Sequence, residues 1–475
     1  MASNDSRSAA IRLYRKLHLG WIFNTSTFTG HLILSALLTF GFARLGYEAD
    51  VNFVFFVSSL AIGLWVTEAI PPFAVGIFII SILLLGFGTD YILPGFQVST
   101  QVYLGTWTSN VIWLLLGGFF LAEGMHVVGL DLSLFRFTVH SFGNQPEKLL
   151  LGLMVTTAIG SMIMSNTATT AMMVGSVMPL MLLLGRSSPF TKATLVGIPA
   201  AATLGGMGTI IGSTPNAIAV AALADHGIEI NFIEWMLFGM PIAFGMVYLF
   251  WRFLIRSYAL KGIGLDLSSL LKSKEKGPTF PRRAVIFTLV VTVSMWMTEP
   301  LHGVPLAATS AIPIVLLTLF QVLKAEDVRR LPWETLMLVA GGLALGVAMV
   351  QVGLTTIVMD RINALPIPAL GIALVFSFMA AFLSNIMSNT AAASILVPLG
   401  LSLPGIYGLA VPLIVSLSCA SALLLPVSTP ANAISFATGM LDQKDFTKGG
   451  VFTLLIGPLI AFGVVMLWTW LLGAP

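Results

Sequence analysis

The chain has 475 residues, of which 57% are hydrophobic and 9% charged, with a formal net charge of +3. A soluble domain carries roughly 25% charged residues, so this composition excludes a soluble globular protein. The single cysteine, Cys419, excludes an intrachain disulfide, and six scattered histidines (His18, His31, His126, His140, His226 and His302) offer no metal-ligand spacing.

The length accommodates about a dozen membrane spans of ~20 residues each, and the expected fold is an all-α polytopic membrane protein. Arg7, Arg12, Arg15 and Lys16 precede the first apolar run without a secretory-signal core, so residues 1–50 are expected to hold a cytosolic N-terminus and the first span, at about 28–47. Spans follow at about 51–68, 71–89 and 109–130. The apolar stretch 149–185 is too long for one span and is interrupted by a Ser-Asn-Thr triplet, which predicts a re-entrant hairpin. Spans at about 195–224 and 235–256 lead into the basic block 252–283, whose part 261–283 is a cytosolic linker. A basic run there could bind anionic lipid, but as a topology signal it needs no further role. Beyond it lie spans at about 284–300, 305–323 and 334–354, a second interrupted stretch at 366–403, and spans at about 408–438 and 452–472. With the N-terminus inside, these eleven spans and two hairpins leave only Arg44 and Arg361, of 23 Lys and Arg residues, on the outer side. The positive-inside rule selects that orientation, with the C-terminus outside.

The chain repeats itself. Ile163-Met164-Ser165-Asn166-Thr167-Ala168 recurs letter for letter at Ile386-Met387-Ser388-Asn389-Thr390-Ala391. Trp65-Val66-Thr67-Glu68 pairs with Trp296-Met297-Thr298-Glu299, and Gly117-Gly118 with Gly341-Gly342. Ser213-Thr214-Pro215-Asn216 pairs with Ser428-Thr429-Pro430-Ala431-Asn432, with one residue inserted. Residues 51–260 and 284–475 are therefore expected to be two repeats of five spans and one hairpin each. Five is odd, so the second copy enters from the opposite face. Inverted repeats of this kind bring two equivalent tips to one midplane site and predict alternating access.

The proposed site holds no charged side chain. Gly205, Gly206, Gly208 and Gly212 let the first broken span unwind, and Pro215 and Pro430 keep the backbone from re-forming its bonds. Unwinding exposes helix N-termini, which favour anions, and free carbonyls, which suit a small hard cation. Asparagine can serve both, since its oxygen accepts and its nitrogen donates. An anion bound without lysine or arginine needs a counter-charge, which a co-bound cation would supply. The twofold pattern suits an anion with two charged ends, although a tetrahedral oxyanion also fits. A lone triplet would read as an N-cap or interhelical hydrogen bond; duplication, and pairing with a Ser-Thr-Pro break each time, make it a site. The Gly-Gly pairs read as close helix packing. Glu123 and His126 lie one turn apart in the fourth span but correspond to Val347 and Val350, so a packing pair is expected rather than a proton relay. Trp65, Trp107, Trp296 and Trp333 fall near span ends and read as interfacial anchors.

These residues resemble the divalent anion/sodium symporter family of dicarboxylate and citrate transporters, from the Trp-Thr-Glu segment at 65 to the end of the chain. The resemblance implies substrate contacts from Ser165, Asn166, Thr167, Ser388, Asn389 and Thr390, with Thr214, Pro215, Thr429 and Pro430 lining the site. It implies one sodium at Ser161, Ser165, Asn166 and the Gly212 carbonyl, and another at Ser384, Asn389 and the Met387 and Ser428 carbonyls. It also implies a homodimer in which spans 1–4 and 7–9 form a static scaffold while the hairpins and spans 5, 6, 10 and 11 move as an elevator. Ser384 stands where the family often has threonine, and Thr214 where it often has proline. The expected activity is sodium-coupled symport of a C4-dicarboxylate such as succinate, malate or fumarate. Sodium-independent exchange of dicarboxylate, citrate or oxoglutarate is the alternative, and sulfate transport comes third. The implied partners are the small anion, sodium, membrane lipid and a second copy of the chain, with no nucleic acid. An enzyme would require a nucleophile–base pair or metal ligands at membrane depth, and the sequence has neither beside a triplet. A channel would require a continuous pore; substrate saturation and counterflow separate it from a carrier.

Overall fold

The computed structural model describes residues 20–96, 98–130, 133, 138, 141–143, 145–260, 279–364 and 366–471. The basic N-terminal leader and linker residues 261–278 lie outside the described residues. Every described regular element is a helix. That follows from the composition, because in hydrocarbon a helix satisfies its own backbone groups.

We number the main helices in chain order. In the first half they are α1 (Gly20–Ala43), α2 (Ala49–Thr67), α3 (Pro72–Phe87), α4 (Asn110–Val127), α5 (Pro146–Ser161), α6 (Asn166–Leu184), α7 (Pro189–Gly205), α8 (Thr214–Ala224) and α9 (Phe232–Tyr258). The second half has α10 (Phe280–Met297), α11 (Ala311–Leu319), α12 (Trp333–Gln351), α13 (Leu354–Asn363), α14 (Ala369–Ser384), α15 (Asn389–Leu401), α16 (Ile406–Cys419), α17 (Pro430–Ala437) and α18 (Gln443–Leu471). Prolines open α3, α5 and α7, where the missing N–H costs nothing. The order α2–α9 is matched by α10–α12 and α14–α18, so the element pattern repeats as the motifs do. The amphipathic α13 was not anticipated from the sequence.

Both interrupted stretches are helical hairpins. α5 and α6 meet at residues 162–165, and α14 and α15 at 385–388. The spans expected at 195–224 and 408–438 are each broken, into α7 and α8 and into α16 and α17. Eight described helices are long and apolar enough to cross a membrane. They comprise seven of the eleven expected spans together with α6, a hairpin arm. The span expected at 305–323 is shorter: one turn, Leu306–Thr309, then α11 after a break at Ser310.

The halves interlock through glycine. α3 packs on α12, and α4 on α11. A methyl at Gly76 would stand 2.7 Å from the Met337 carbonyl, one at Gly117 would stand 2.8 Å from the Ser310 carbonyl, and one at Gly341 would overlap the Gly76 backbone. Both Gly-Gly pairs thus serve backbone-close packing, as expected. Two of the four expected tryptophan anchors are core residues instead. Trp65 and Trp296 are fully buried, and their indoles donate to the Pro72 carbonyl (3.3 Å) and Ser310 Oγ (3.2 Å). Each therefore ties its helix to the next one along the chain, using the polar handle that a buried tryptophan must satisfy.

Glu123 is half-buried on α4, within electrostatic reach of His126, Asp327 and Arg330. With these charged groups around it at a helix end, Glu123→Gln is expected to leave transport within about twofold of wild type, since one rim charge contributes ~1 kcal/mol or less. A pH–rate profile lost in this variant would restore the proton relay.

Candidate functional site

Both triplets sit at the start of a hairpin's second helix. Ser165 is the N-cap of α6, its Oγ accepting from the Ala168 N–H at 3.2 Å, and Ser388 caps α15 through the Ala391 N–H at the same distance. The serine hydroxyls therefore hold the helix starts, a role the sequence reading assigned only to an isolated triplet. Asn166 and Asn389 begin the two helices and are half-buried; Thr167 is exposed and Thr390 half-buried.

The Asn166 amide is the centre of a compact polar cluster. Its inward atom lies 2.6 Å from Ser161 Oγ, 3.0 Å from the Ala202 carbonyl and 3.3 Å from the Gly212 carbonyl. With nitrogen inward, two N–H bonds are shared among three acceptors. With oxygen inward, four oxygens converge, which is the ligand chemistry of a small hard cation. Three of the four groups assigned from sequence to the first sodium meet here, and Ala202 adds a carbonyl that the sequence did not single out. Gly206 makes room for the cluster: a methyl there would stand 2.7 Å from the Gly212 carbonyl and 2.8 Å from the Asn166 amide.

The second half does not reproduce this geometry. Ser384 is fully buried, and Asn389 Oδ1 is buried with no hydrogen-bond partner among the described residues. The Ser428 Oγ, as distinct from the carbonyl assigned to the cation, donates to Asn385 Oδ1 at 3.1 Å. The Ser384 and Asn389 side chains are thus not joined by a hydrogen bond as Ser161 and Asn166 are.

Each hairpin turn is fastened to its half's unwound segment, by different residues. In the first half Thr209 Oγ donates to the Met162 carbonyl (2.5 Å) and accepts from the Gly212 N–H (3.0 Å). In the second half Asn385 Oδ1 accepts from the Leu424 N–H (2.9 Å) and the Ser428 hydroxyl, while its Nδ2 donates to the Ala381 carbonyl (2.8 Å). Two further asparagines brace the unwound backbones. Asn216 donates to the Gly206 (2.9 Å) and Thr209 (2.8 Å) carbonyls, and Asn432 to the Leu425 carbonyl (2.9 Å). From outside, the α9 residue Trp235 donates to the Met207 carbonyl at 2.9 Å. Asn385→Ala removes two bonds from a buried joint and strands the Leu424 N–H, an orphaned buried donor costing about 1–3 kcal/mol. The variant is expected to melt several degrees lower and to lose most of its uptake, measured as a thermal shift and initial rate at equal membrane abundance.

Four helices, α6, α8, α15 and α17, start at the motifs. Thr429 Oγ caps α17 through the Asn432 N–H at 3.1 Å, whereas Ser213 makes no side-chain cap for α8. Pro215 and Thr429 are buried, Thr214 half-buried and Pro430 exposed. α8 packs on α15 and α17 on α6, so each hairpin's second arm meets the broken helix of the other half. The N-termini supply positive partial charge at motifs that themselves contain no Lys or Arg.

Paired helical hairpins and paired broken helices, carrying uncharged polar tips in an apolar helical protein, define a membrane transporter. Residues 62–410 match the model of the citrate transporter family, CitMHS, and the chain belongs to that family. It is 28% identical over 440 residues to the sodium-dependent dicarboxylate transporter SdcS of Staphylococcus saprophyticus, covering 84% of this chain and 83% of that one. It is 29% identical over 443 residues to SdcS of Staphylococcus aureus, covering 84% and 82%. Among solved structures, the YdaH transporter of Alcanivorax borkumensis shares the fold, with a TM-score of 0.53 at 14% identity, covering 85% of this chain and 98% of that one. These matches agree with the resemblance carried by the triplets, and with a transporter rather than an enzyme.

Proposed function

We propose that this protein is a secondary active transporter that couples inward sodium flow to uptake of a C4-dicarboxylate such as succinate, malate or fumarate. The observation that carries this reading is the oxygen cluster at Asn166. With sodium held by Asn166 Oδ1, Ser161 Oγ and the Ala202 and Gly212 carbonyls, the amide nitrogen turns toward the substrate side and can donate to a carboxylate. Sodium supplies the positive charge that the site lacks. The Asn389 oxygen, buried without a hydrogen-bond partner among the described residues, is suited to the second cation, and the two tips together to the two ends of a dicarboxylate. The relatives' sodium dependence and dicarboxylate substrates support the same assignment.

Alternating access then arises from inverted repeats, with the hairpins, broken helices, α9 and α18 moving as one body against a scaffold of α1–α4 and α10–α12, in a dimer. Orientation rests on the charges, with the N-terminus cytosolic and the C-terminus outside. Polar contacts agree with the sidedness. Arg186 and Lys192 pair with Asp442 and Asp445, joining two segments assigned to the cytosol, and Tyr103, in a segment assigned outside, donates to Gln351 at the outer end of the span expected at 334–354.

A second reading is sodium-independent exchange. It is favoured by the alternative amide orientation, in which Asn166 is satisfied by protein acceptors alone. Labelled succinate uptake into proteoliposomes decides. Sodium-driven uptake into empty vesicles is expected; uptake only into succinate-loaded vesicles, indifferent to replacement of sodium by choline, would establish the exchanger. Citrate and sulfate are tested in the same assay.

A further inference from the structure

The two bodies are separated by a cavity of about 490 Å³ that does not belong to the tips. Ile218 and Ala222 of α8 and Pro398 and Leu401 of α15 line one side, with Val347 and Val350 of α12 opposite. Beside it α12 contributes only glycine to the contact: a methyl at Gly346 would stand 2.9 Å from the Pro398 ring, and one at Gly342 would overlap the Ser394 side chain. α12 thus presents a smooth glycine track to α15, and the cavity is the gap along its edge. The walls are apolar, and polar groups gather at one end: Asp225, His226 and Gln351. They are not equivalent. His226 Nδ1 lies 2.9 Å from the Ala222 carbonyl, which can only accept, so this nitrogen is the donor. Gln351 Oε1 is occupied by the Tyr103 hydroxyl at 3.0 Å. Asp225 is exposed and is the one carboxylate among the described lining residues, which include no Lys or Arg.

We propose that this cavity binds an amphiphile with one apolar chain and a primary ammonium head, the chain between α12 and the α8–α15 pair and the head on Asp225. Its size falls within the range of small-molecule sites, roughly 300–1,000 Å³. Because α8 and α15 begin at the Ser-Thr-Pro and Ser-Asn-Thr motifs, an occupant here wedges the moving body against the scaffold and arrests transport without entering the substrate site. The arrest rests on the two-body reading above; the binding does not.

The test uses a diazirine-bearing dodecylammonium probe on the full chain in nanodiscs, with the matching alcohol as a neutral control. Photolabelling is expected on α8, α12 and α15, to be lost in Val347→Trp, and to weaken at least tenfold in Asp225→Asn for the ammonium but not for the alcohol. Should Val347→Trp fail to fold, the Asp225→Asn contrast alone decides. Labelling confined to lipid-facing helices such as α1, or indifferent to Asp225, overturns the site. In proteoliposomes unlabelled dodecylammonium, below its micellar concentration, is expected to lower the maximal uptake rate without changing the substrate concentration at half-maximum. Competitive inhibition, or labelling with uptake unchanged, overturns the wedge. Since labelling requires no transported substrate, a wrong choice of dicarboxylate cannot be mistaken for failure of the site.

Discussion

Asn166→Ala is expected to bring uptake to background while the protein reaches the membrane at near wild-type abundance, and Asn389→Ala to do the same. Asn166 stands where the Ser161 hydroxyl, the Ala202 and Gly212 carbonyls and the start of α6 converge. On the proposed function, removing its amide takes one ligand from the cation and one donor from the anion together. A hydrogen bond to a charged group contributes about 1.5–3 kcal/mol, and every 1.4 kcal/mol is about tenfold, so two such losses predict a fall of roughly a hundredfold or more. Folding is expected to survive, because Ser165 still caps α6 and Thr209 still holds the hairpin turn. Asn166→Asp gives a sharper comparison: it keeps the oxygen, adds negative charge and removes the donor, so it should retain sodium binding while rejecting the dianion. Near-normal uptake in either alanine variant would remove the shared-ligand role.

Gly341→Val is expected to yield no folded protein. At the α3–α12 crossing the Gly341 methylene faces the Gly76 backbone, which cannot move aside as a side chain can. Overpacking a core commonly costs about 1–3 kcal/mol. Here the obstacle is main chain inside a helix pair that joins the two halves, so the cost belongs with the exceptional cases above about 4 kcal/mol. Fluorescence-detected size-exclusion chromatography should show aggregate in place of a monodisperse peak. Gly245→Ala on α9 is the control, since nothing lies within 4 Å of a methyl there and a helix prefers alanine to glycine by about 1 kcal/mol. A monodisperse Gly341→Val protein would show that the crossing can open.

What the sequence disclosed followed from rules that act locally. Ser-Asn-Thr in an apolar run must end one helix and start another, and a glycine cluster before Pro215 must break one, so both hairpins and both broken helices were legible. Long-range placement was not. Trp65 and Trp296 stand at span ends, where tryptophan serves equally at a lipid headgroup or in the core, and only the neighbouring helix decides between them. The stretch 305–323 is apolar enough to span, but Ser310 turns its hydroxyl to the Leu306 carbonyl and to the Trp296 indole, and the helix is interrupted there. Thr209 and Asn385 escaped notice because a search for repeats finds what the halves share. These two occupy positions where the halves differ.

That difference has a consequence for how the halves diverged. Met162 corresponds to Asn385 and Thr209 to Leu424, so one joint is made twice with the polar side chain on opposite partners. Neither half can adopt the other's solution one residue at a time. Asn385→Met alone strands the Leu424 N–H, and Leu424→Thr alone sets a second hydroxyl against an amide that is already engaged. Made together, the two substitutions import the first half's joint whole, and each should be harmful singly yet tolerated as a pair.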